Sequence, residues 1–119
     1  MFGSRQSFDP PFTQVNEPDD LHRWFSTPGL VLLMLHDPWC PISRGAFNEV
    51  AQLPGPVPLI DVSASKSLSK EVALRTGIRH ESPQAMLLRD GAVIWHASHW
   101  GITKNAIDQA IAEAEAGPA

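Results

Sequence analysis

Cys40 is the residue of this 119-residue chain whose type and position are best suited to chemistry. It is the only cysteine, and the turn of residues 36–39 separates it from the apolar run of residues 30–35. A cysteine that opens a helix directly after a strand meets backbone N–H groups and the positive end of the helix dipole, which stabilise a thiolate. The alternative is a free cysteine that only fills space in a core. The proline and tryptophan neighbours of Cys40 predict a rigid surface turn, so the pattern favours a reactive sulfur.

The composition limits the classes of protein to which the chain can belong. A length of 119 residues with 43% hydrophobic content predicts one domain. A formal charge of −4 without a cluster of Lys and Arg gives no footprint for nucleic acid or an anionic membrane. The sequence has neither an apolar stretch of about 20 residues nor the apolar region of a signal peptide. Since one cysteine cannot form an internal disulfide, we expect a cytoplasmic protein whose thiol pairs with other molecules.

Apolar periodicity predicts four helices and about four strands that hold this cysteine in place. The predicted helices cover about 17–27, 41–52, 67–76 and 104–116, and the predicted strands cover 30–36, 57–62, 84–89 and 92–97. Asp90-Gly91 predicts an antiparallel hairpin between the last two strands, whereas the earlier strands and the helix between them predict a parallel β-α-β unit. The sequence therefore predicts an α/β fold of the thioredoxin type, with a mixed central sheet and helices on both faces.

The first 16 residues show little periodicity and contain Pro10-Pro11. We therefore predict that residues 1–16 are an N-terminal extension and that residues 17–119 are the thioredoxin-like domain. Phe8, Phe12 and Val15 of the extension are expected to lie against the domain.

Three separated motifs resemble those of the monothiol bacilliredoxins, the bacilliredoxin C or YtxJ-like family. They are Cys-Pro-Ile-Ser-Arg at 40–44, His-Glu-Ser-Pro-Gln at 80–84 and the segment 95–103. The likeness covers about residues 17–116. It implies a thioredoxin fold, a cytosolic setting in bacteria that use the small thiol bacillithiol, and the removal of bacillithiol from modified protein cysteines.

Thiol chemistry and the resemblance together predict a reaction in two steps. The Cys40 thiolate attacks a protein–bacillithiol mixed disulfide, releases the protein thiol and stays joined to bacillithiol. Ser43 stands where dithiol relatives keep a second cysteine, so free bacillithiol or another redoxin must resolve the adduct. A flavoprotein disulfide reductase would then restore the pool, and no bound cofactor is expected. Ser43 either donates a hydrogen bond to the thiolate or is only a residue of the first helical turn.

Besides Cys40 and Ser43, seven residues are candidates for binding the substrate or the small thiol: Trp39, Pro41, Arg44, His80, Ser82, Pro83 and Trp100. The resemblance implies a cis bond before Pro83, which would lie beside Cys40, and the Ser82 backbone would pair with the incoming disulfide like an added strand. A trans proline that begins the third strand is the alternative.

Cationic and aromatic candidates would recognise different parts of bacillithiol. Arg44, His80 and Arg79 could receive its carboxylates, although His80 and Arg79 could also be solvated surface residues. Trp39 could cover the sulfur or the sugar ring. The sequence leaves the role of Trp100 open.

His96 and His99 have the spacing of a metal-binding pair. Residues three apart in a strand point to opposite faces, and no acidic or cysteine pair completes a zinc set, so no metal is predicted. The alternative function is a non-catalytic redox sensor or docking module that is modified at Cys40. An iron–sulfur carrier of the monothiol glutaredoxin type is disfavoured, because Pro41 replaces the glycine that those carriers use.

Overall fold

The computed structural model describes residues 10–117 and contains a five-stranded mixed sheet. The strands are β1 (Phe12–Gln14), β2 (Leu30–His36), β3 (Val57–Asp61), β4 (Gln84–Arg89) and β5 (Ala92–Ser98). The helices are α1 (Pro18–Phe25), α2 (Pro41–Val50), α3 (Lys66–Thr76) and α4 (Lys104–Glu115), and a 3₁₀ turn covers His99–Gly101. The strand order is β1-β3-β2-β4-β5, with the first three parallel and the last two antiparallel to their neighbours. This is the predicted α/β fold of the thioredoxin type.

Strand β2 lies at the centre of the sheet, and helices cover both of its faces. Leu32 and Met34 pack in one core cluster with residues of α2 and α4, whereas Leu33 and Leu35 pack in a second cluster with residues of α1 and α3. Side chains of a strand alternate between its faces, so a strand between two helical layers is apolar at every position. The chain segment that carries Cys40 therefore starts from a central strand that is buried on both faces.

Local signals in the sequence set the ends of several elements. Asp90 and Gly91 both have positive φ, at 51° and 84°, as a tight turn between antiparallel strands requires. Helix α3 is followed by Gly77 in the left-handed conformation, with a φ of 72°. The side chain of Thr103 accepts a hydrogen bond from the Ala106 N–H at the start of α4. These features confirm the predicted hairpin and the predicted ends of the two helices.

The sheet has five strands, and the prediction of about four was one too few. The additional strand, β1, lies in the segment predicted as an extension and pairs in parallel with Val57–Leu59 of β3. Phe12 and Val15 are buried, whereas Phe8 lies outside the described residues. A strand of three residues is too short to show alternation, so its place depends on a partner that is distant in the sequence. Within residues 10–117, no helix has the length and apolar character needed to span a membrane.

Candidate functional site

Cys40 lies where β2 ends and α2 begins, as the N-terminal cap residue of that helix. Its backbone is extended, its side chain is partly exposed, and Pro41 takes the first helical position, where a missing N–H costs nothing. The Cys40 N–H donates to the Asp37 carbonyl at 3.1 Å, and the Cys40 carbonyl accepts from the Arg44 N–H at 3.0 Å. No acidic residue lies in the first turn of α2. Cys40 is therefore the first residue of a helix N-terminus, the end to which the helix dipole gives a partial positive charge.

A buried hydrogen-bonded group lies beside this turn and joins the strand to the helix. The hydroxyl of Ser43 accepts the Asp37 N–H at 2.8 Å and is hydrogen bonded to His36 Nδ1, also at 2.8 Å. Ser43 is fully buried and His36 is 3% exposed. The His36 ring also stacks on Phe47 of α2, with centroids 4.7 Å apart. We call His36, Asp37 and Ser43 the β2–α2 clamp, because they fix both ends of the loop that presents Cys40.

Burial is the main influence on the ionisation of His36. It lowers the pKa of the imidazole, although the nearby carboxylates of Asp61 and Asp37 and a backbone hydrogen bond at Ser43 act in the opposite direction. The ring is therefore neutral at neutral pH. His36 is not among the site residues predicted from the sequence, because in the sequence it is only the end of a predicted strand. Its signal was a histidine that ends an apolar run shortly before a cysteine and a helical serine.

The hydrogen bonds of Ser43 in the clamp concern its predicted role as a donor to the Cys40 thiolate. Among the described residues, no hydrogen bond joins the Ser43 hydroxyl to Cys40, and its two partners are His36 and Asp37. Assistance to the thiolate by Ser43 stays a prediction.

Ser82 and Pro83 lie directly before β4. The peptide bond between them is cis, in agreement with the resemblance, and the Pro83 carbonyl accepts the His99 N–H at 3.1 Å. Because Gln84 pairs with Leu35 at the end of β2, this loop reaches the edge of the sheet at which Cys40 follows. The Ser82 hydroxyl oxygen is buried and has no hydrogen-bond partner among the described residues.

A groove of about 710 Å³ lies between the Cys40 loop, α3 and the loop before Pro83. We call it the α3 groove; the residues that define it here are Trp39, Val62, Lys66, Lys70, His80 and Ser82. The structure thus brings three of the predicted binding residues, Trp39, His80 and Ser82, to one surface. The sequence analysis did not identify the two lysines, because exposed charges on a helix resemble an ordinary solvated face.

Other predicted residues lie outside the α3 groove. Arg44 and Arg79 are exposed and do not line it. Trp100 lies on the 3₁₀ turn and is 77% exposed, comparable with Trp39 at 82%. Nothing in the described part of the chain assigns Trp100 to the same surface as Trp39.

His96 and His99 do not act as a pair in the structure. His96 is exposed on β5, whereas His99 lies on the 3₁₀ turn with its Nδ1 atom 3.6 Å from Glu81 Oε1. Across residues 10–117, no three side chains of His, Cys, Asp or Glu come together in a way that could hold a metal ion.

Comparisons with known proteins bear on the family and the fold of the chain. The family model described as monothiol bacilliredoxin BrxC matches residues 13–107. A proposed oxidoreductase with a thioredoxin fold has a TM-score of 0.78 and 24% identity, and the match covers 84% of this chain and 93% of that one.

Two thioredoxins are similar at lower identity. Mitochondrial thioredoxin 3 from Saccharomyces cerevisiae matches with a TM-score of 0.67 and 15% identity, over 86% of this chain and 94% of that chain. A thioredoxin from Nicotiana alata matches with a TM-score of 0.68 and 14% identity, over 92% and 97%. At these identities the structures show the fold, and the family model shows the family.

Proposed function

Because the chain belongs to the monothiol bacilliredoxin family, a family of thiol–disulfide oxidoreductases, we propose that it removes bacillithiol from S-bacillithiolated protein cysteines. The observation that supports this most directly is the partly exposed Cys40 at the N-terminus of α2. A cysteine sulfur is the nucleophile of disulfide exchange, and a partly exposed sulfur can be reached by a disulfide substrate. The substrate is a mixed disulfide between a protein cysteine and bacillithiol.

The first step transfers bacillithiol to this chain. The Cys40 thiolate attacks the bacillithiol sulfur, the bond between that sulfur and the protein sulfur breaks, and a new disulfide forms at Cys40. The substrate sulfur leaves as a thiolate and takes a proton from water. The exchange needs no external electron donor, because one disulfide replaces another.

The second step must come from outside the chain, because Cys40 is its only cysteine. In the proposal a free bacillithiol thiolate attacks the bacillithiol sulfur of the adduct. The products are bacillithiol disulfide and the Cys40 thiolate, so bacillithiol is a co-substrate and the protein carries no bound cofactor. A flavoprotein disulfide reductase then reduces bacillithiol disulfide. The reaction belongs to a reducing cytoplasm, where such a pool is maintained.

Two adducts of one carrier protein test this function. The carrier has a single exposed cysteine blocked either by bacillithiol or by glutathione, and the release of its thiol is measured with the matching free thiol present. We expect faster release from the bacillithiol adduct, and mass spectrometry should find bacillithiol on Cys40 when the free thiol is omitted. Equal rates would reduce the function to general thiol transfer. An adduct that forms on Cys40 without any release by transfer would support a sensor or docking module.

A further inference from the structure

The α3 groove has the size and the lining of a small-molecule site. Its volume of about 710 Å³ lies within the usual range of about 300 to 1,000 Å³ for ligand pockets. Val62 and Ala73 line it with apolar side chains, and Trp39, the residue before Cys40 in the chain, lines it as well. The groove therefore lies one residue along the chain from the point at which a ligand would be joined to Cys40.

Positive charge is concentrated on the wall that α3 forms. Lys66 and Lys70 are four residues apart, which places them on one face of the helix, and both line the groove. Neither lysine forms an ion pair with another described residue. Glu71, the nearest acid in the sequence, is engaged with Arg75 at 3.0 Å. His80 adds an imidazole ring from the loop that faces α3 across the groove.

One acidic residue, Asp37, also lines the groove. Its Oδ1 atom accepts the Trp39 N–H at 3.0 Å, so this carboxylate is held by the loop that carries it. The α3 wall thus offers two uncompensated ammonium groups to an incoming anion, and the apolar surface beside them suits the rest of a small organic molecule.

We propose that the α3 groove binds the small-thiol half of the mixed disulfide, with Lys66 and Lys70 holding its carboxylates. This inference rests on the proposed function. It adds the site that binds the small thiol, which stays on Cys40, rather than the protein, which leaves. The ligand class is a low-molecular-weight thiol with at least one carboxylate. Its sulfur is bonded to Cys40 after the first step, and its anionic end lies against α3.

The test uses charge as the variable and keeps the carrier protein constant. The carrier cysteine is blocked either by mercaptosuccinate, which has two carboxylates, or by 2-mercaptoethanol, which has none. The measured quantity is a ratio: the second-order rate constant for transfer of mercaptosuccinate to Cys40, divided by the rate constant for transfer of 2-mercaptoethanol. For Lys66→Gln/Lys70→Gln we expect this ratio to fall by about threefold to tenfold, the effect of two solvent-exposed charge contacts. Higher salt should lower the wild-type ratio as well.

Lys104→Gln is the matched control, since it removes a partly exposed lysine from α4, where its partner is Asp108. Its ratio should equal that of the wild-type protein. An unchanged ratio in the double variant overturns the inference. Equal losses with both adducts would also overturn it, because they would mean that the groove receives the protein half.

The outcome is separable from that of the proposed function. If wild-type protein released bacillithiol and glutathione adducts at equal rates, the bacillithiol assignment would fail. A lower ratio of the mercaptosuccinate rate constant to the 2-mercaptoethanol rate constant in the lysine variant would still support the groove as a carboxylate site, since glutathione is also anionic.

Discussion

The polar side chains of the β2–α2 clamp and of the α3 groove differ in burial and in pairing. In the β2–α2 clamp, His36 and Ser43 are buried and hydrogen bonded at 2.8 Å. In the α3 groove, Lys66 and Lys70 are exposed and form no ion pair with any described residue. Buried polar groups stabilise a structure only while their partners remain, whereas exposed charges can be exchanged at little cost. The clamp should therefore govern stability and the groove should govern substrate choice.

Substitution of Cys40 should have the largest effect on transfer activity and almost none on the free energy of unfolding. Cys40→Ser removes the nucleophile, so transfer from any adduct should fall to the uncatalysed rate. Its side chain is partly exposed and makes no capping hydrogen bond, so the free energy of unfolding should stay within about 0.5 kcal/mol or rise, because serine is a favourable N-cap residue. Transfer assays and urea denaturation measure the two effects. An unfolded variant would show that the sulfur serves packing.

Ser43→Ala should have the opposite profile, with a large effect on stability. It leaves the Asp37 N–H and the buried His36 Nδ1 without this hydroxyl. We expect a loss of about 2 kcal/mol in the free energy of unfolding, because two hydrogen bonds of the clamp are removed. Ser67→Ala, at an exposed position in the first turn of α3, is the control and should change little. Lost transfer with unchanged stability would instead assign Ser43 to the thiolate.

The clamp also predicts how stability depends on pH. Burial lowers the pKa of His36 below its ordinary value of 6.5. As the pH falls below 6.5, the unfolded chain takes up a proton before the folded chain does, so the histidine's contribution is complete above pH 6.5 and declines below it. The slope from this one group cannot exceed about 1.4 kcal/mol per pH unit.

Urea denaturation between pH 7.5 and 5 measures this dependence. His36→Phe keeps a ring for the stack on Phe47 but cannot titrate, so its unfolding free energy should decline less over this range. His22→Gln, at an exposed position on α1, should follow the wild-type curve. Equal slopes in the wild-type protein and in His36→Phe would contradict the prediction.

The groove also contains a buried hydroxyl that, unlike the hydroxyl of the clamp, has no hydrogen-bond partner among the described residues. Ser82 lines the groove, yet its oxygen is buried and unpaired among the described residues. Ser82→Ala should therefore leave stability unchanged or raise it by up to about 1 kcal/mol. Thr103→Val removes a hydroxyl that caps α4 and should cost about 1 kcal/mol. Thermal melts of the two variants make the comparison, and a cost at Ser82 would reveal a partner.

Local patterns predicted the parts of the fold that depend on neighbours in the sequence. The apolar run of β2, the proline that opens α2 and the Asp90-Gly91 turn each carry their own physical signal. The pairing of β1 with β3 does not, because three residues show no period and the residues opposite them in the sheet lie 45 positions away, as in Phe12 and Val57.

The site residues, too, could be predicted only where neighbours in the sequence carried the signal. Cys40 was predicted as a site residue from its immediate surroundings in the sequence, whereas the contact of His36 with Ser43 joins a strand end to a helix turn. Such a contact follows from the angle between two elements, which periodicity does not contain. The orientation of Lys66 and Lys70 towards the groove depends likewise on where α3 packs against the sheet.

The lone sulfur also fixes the kind of equilibrium in which this chain takes part. Any disulfide at Cys40 joins two molecules, because the chain has no second cysteine. Exchange with a small-molecule disulfide consumes one such molecule and releases one thiol, so the capped fraction depends on the ratio of thiol to disulfide. A chain that closes an internal disulfide releases two thiols, and its equilibrium therefore changes with the total concentration of the pool. The state of Cys40 at equilibrium is insensitive to dilution of that pool at a constant ratio.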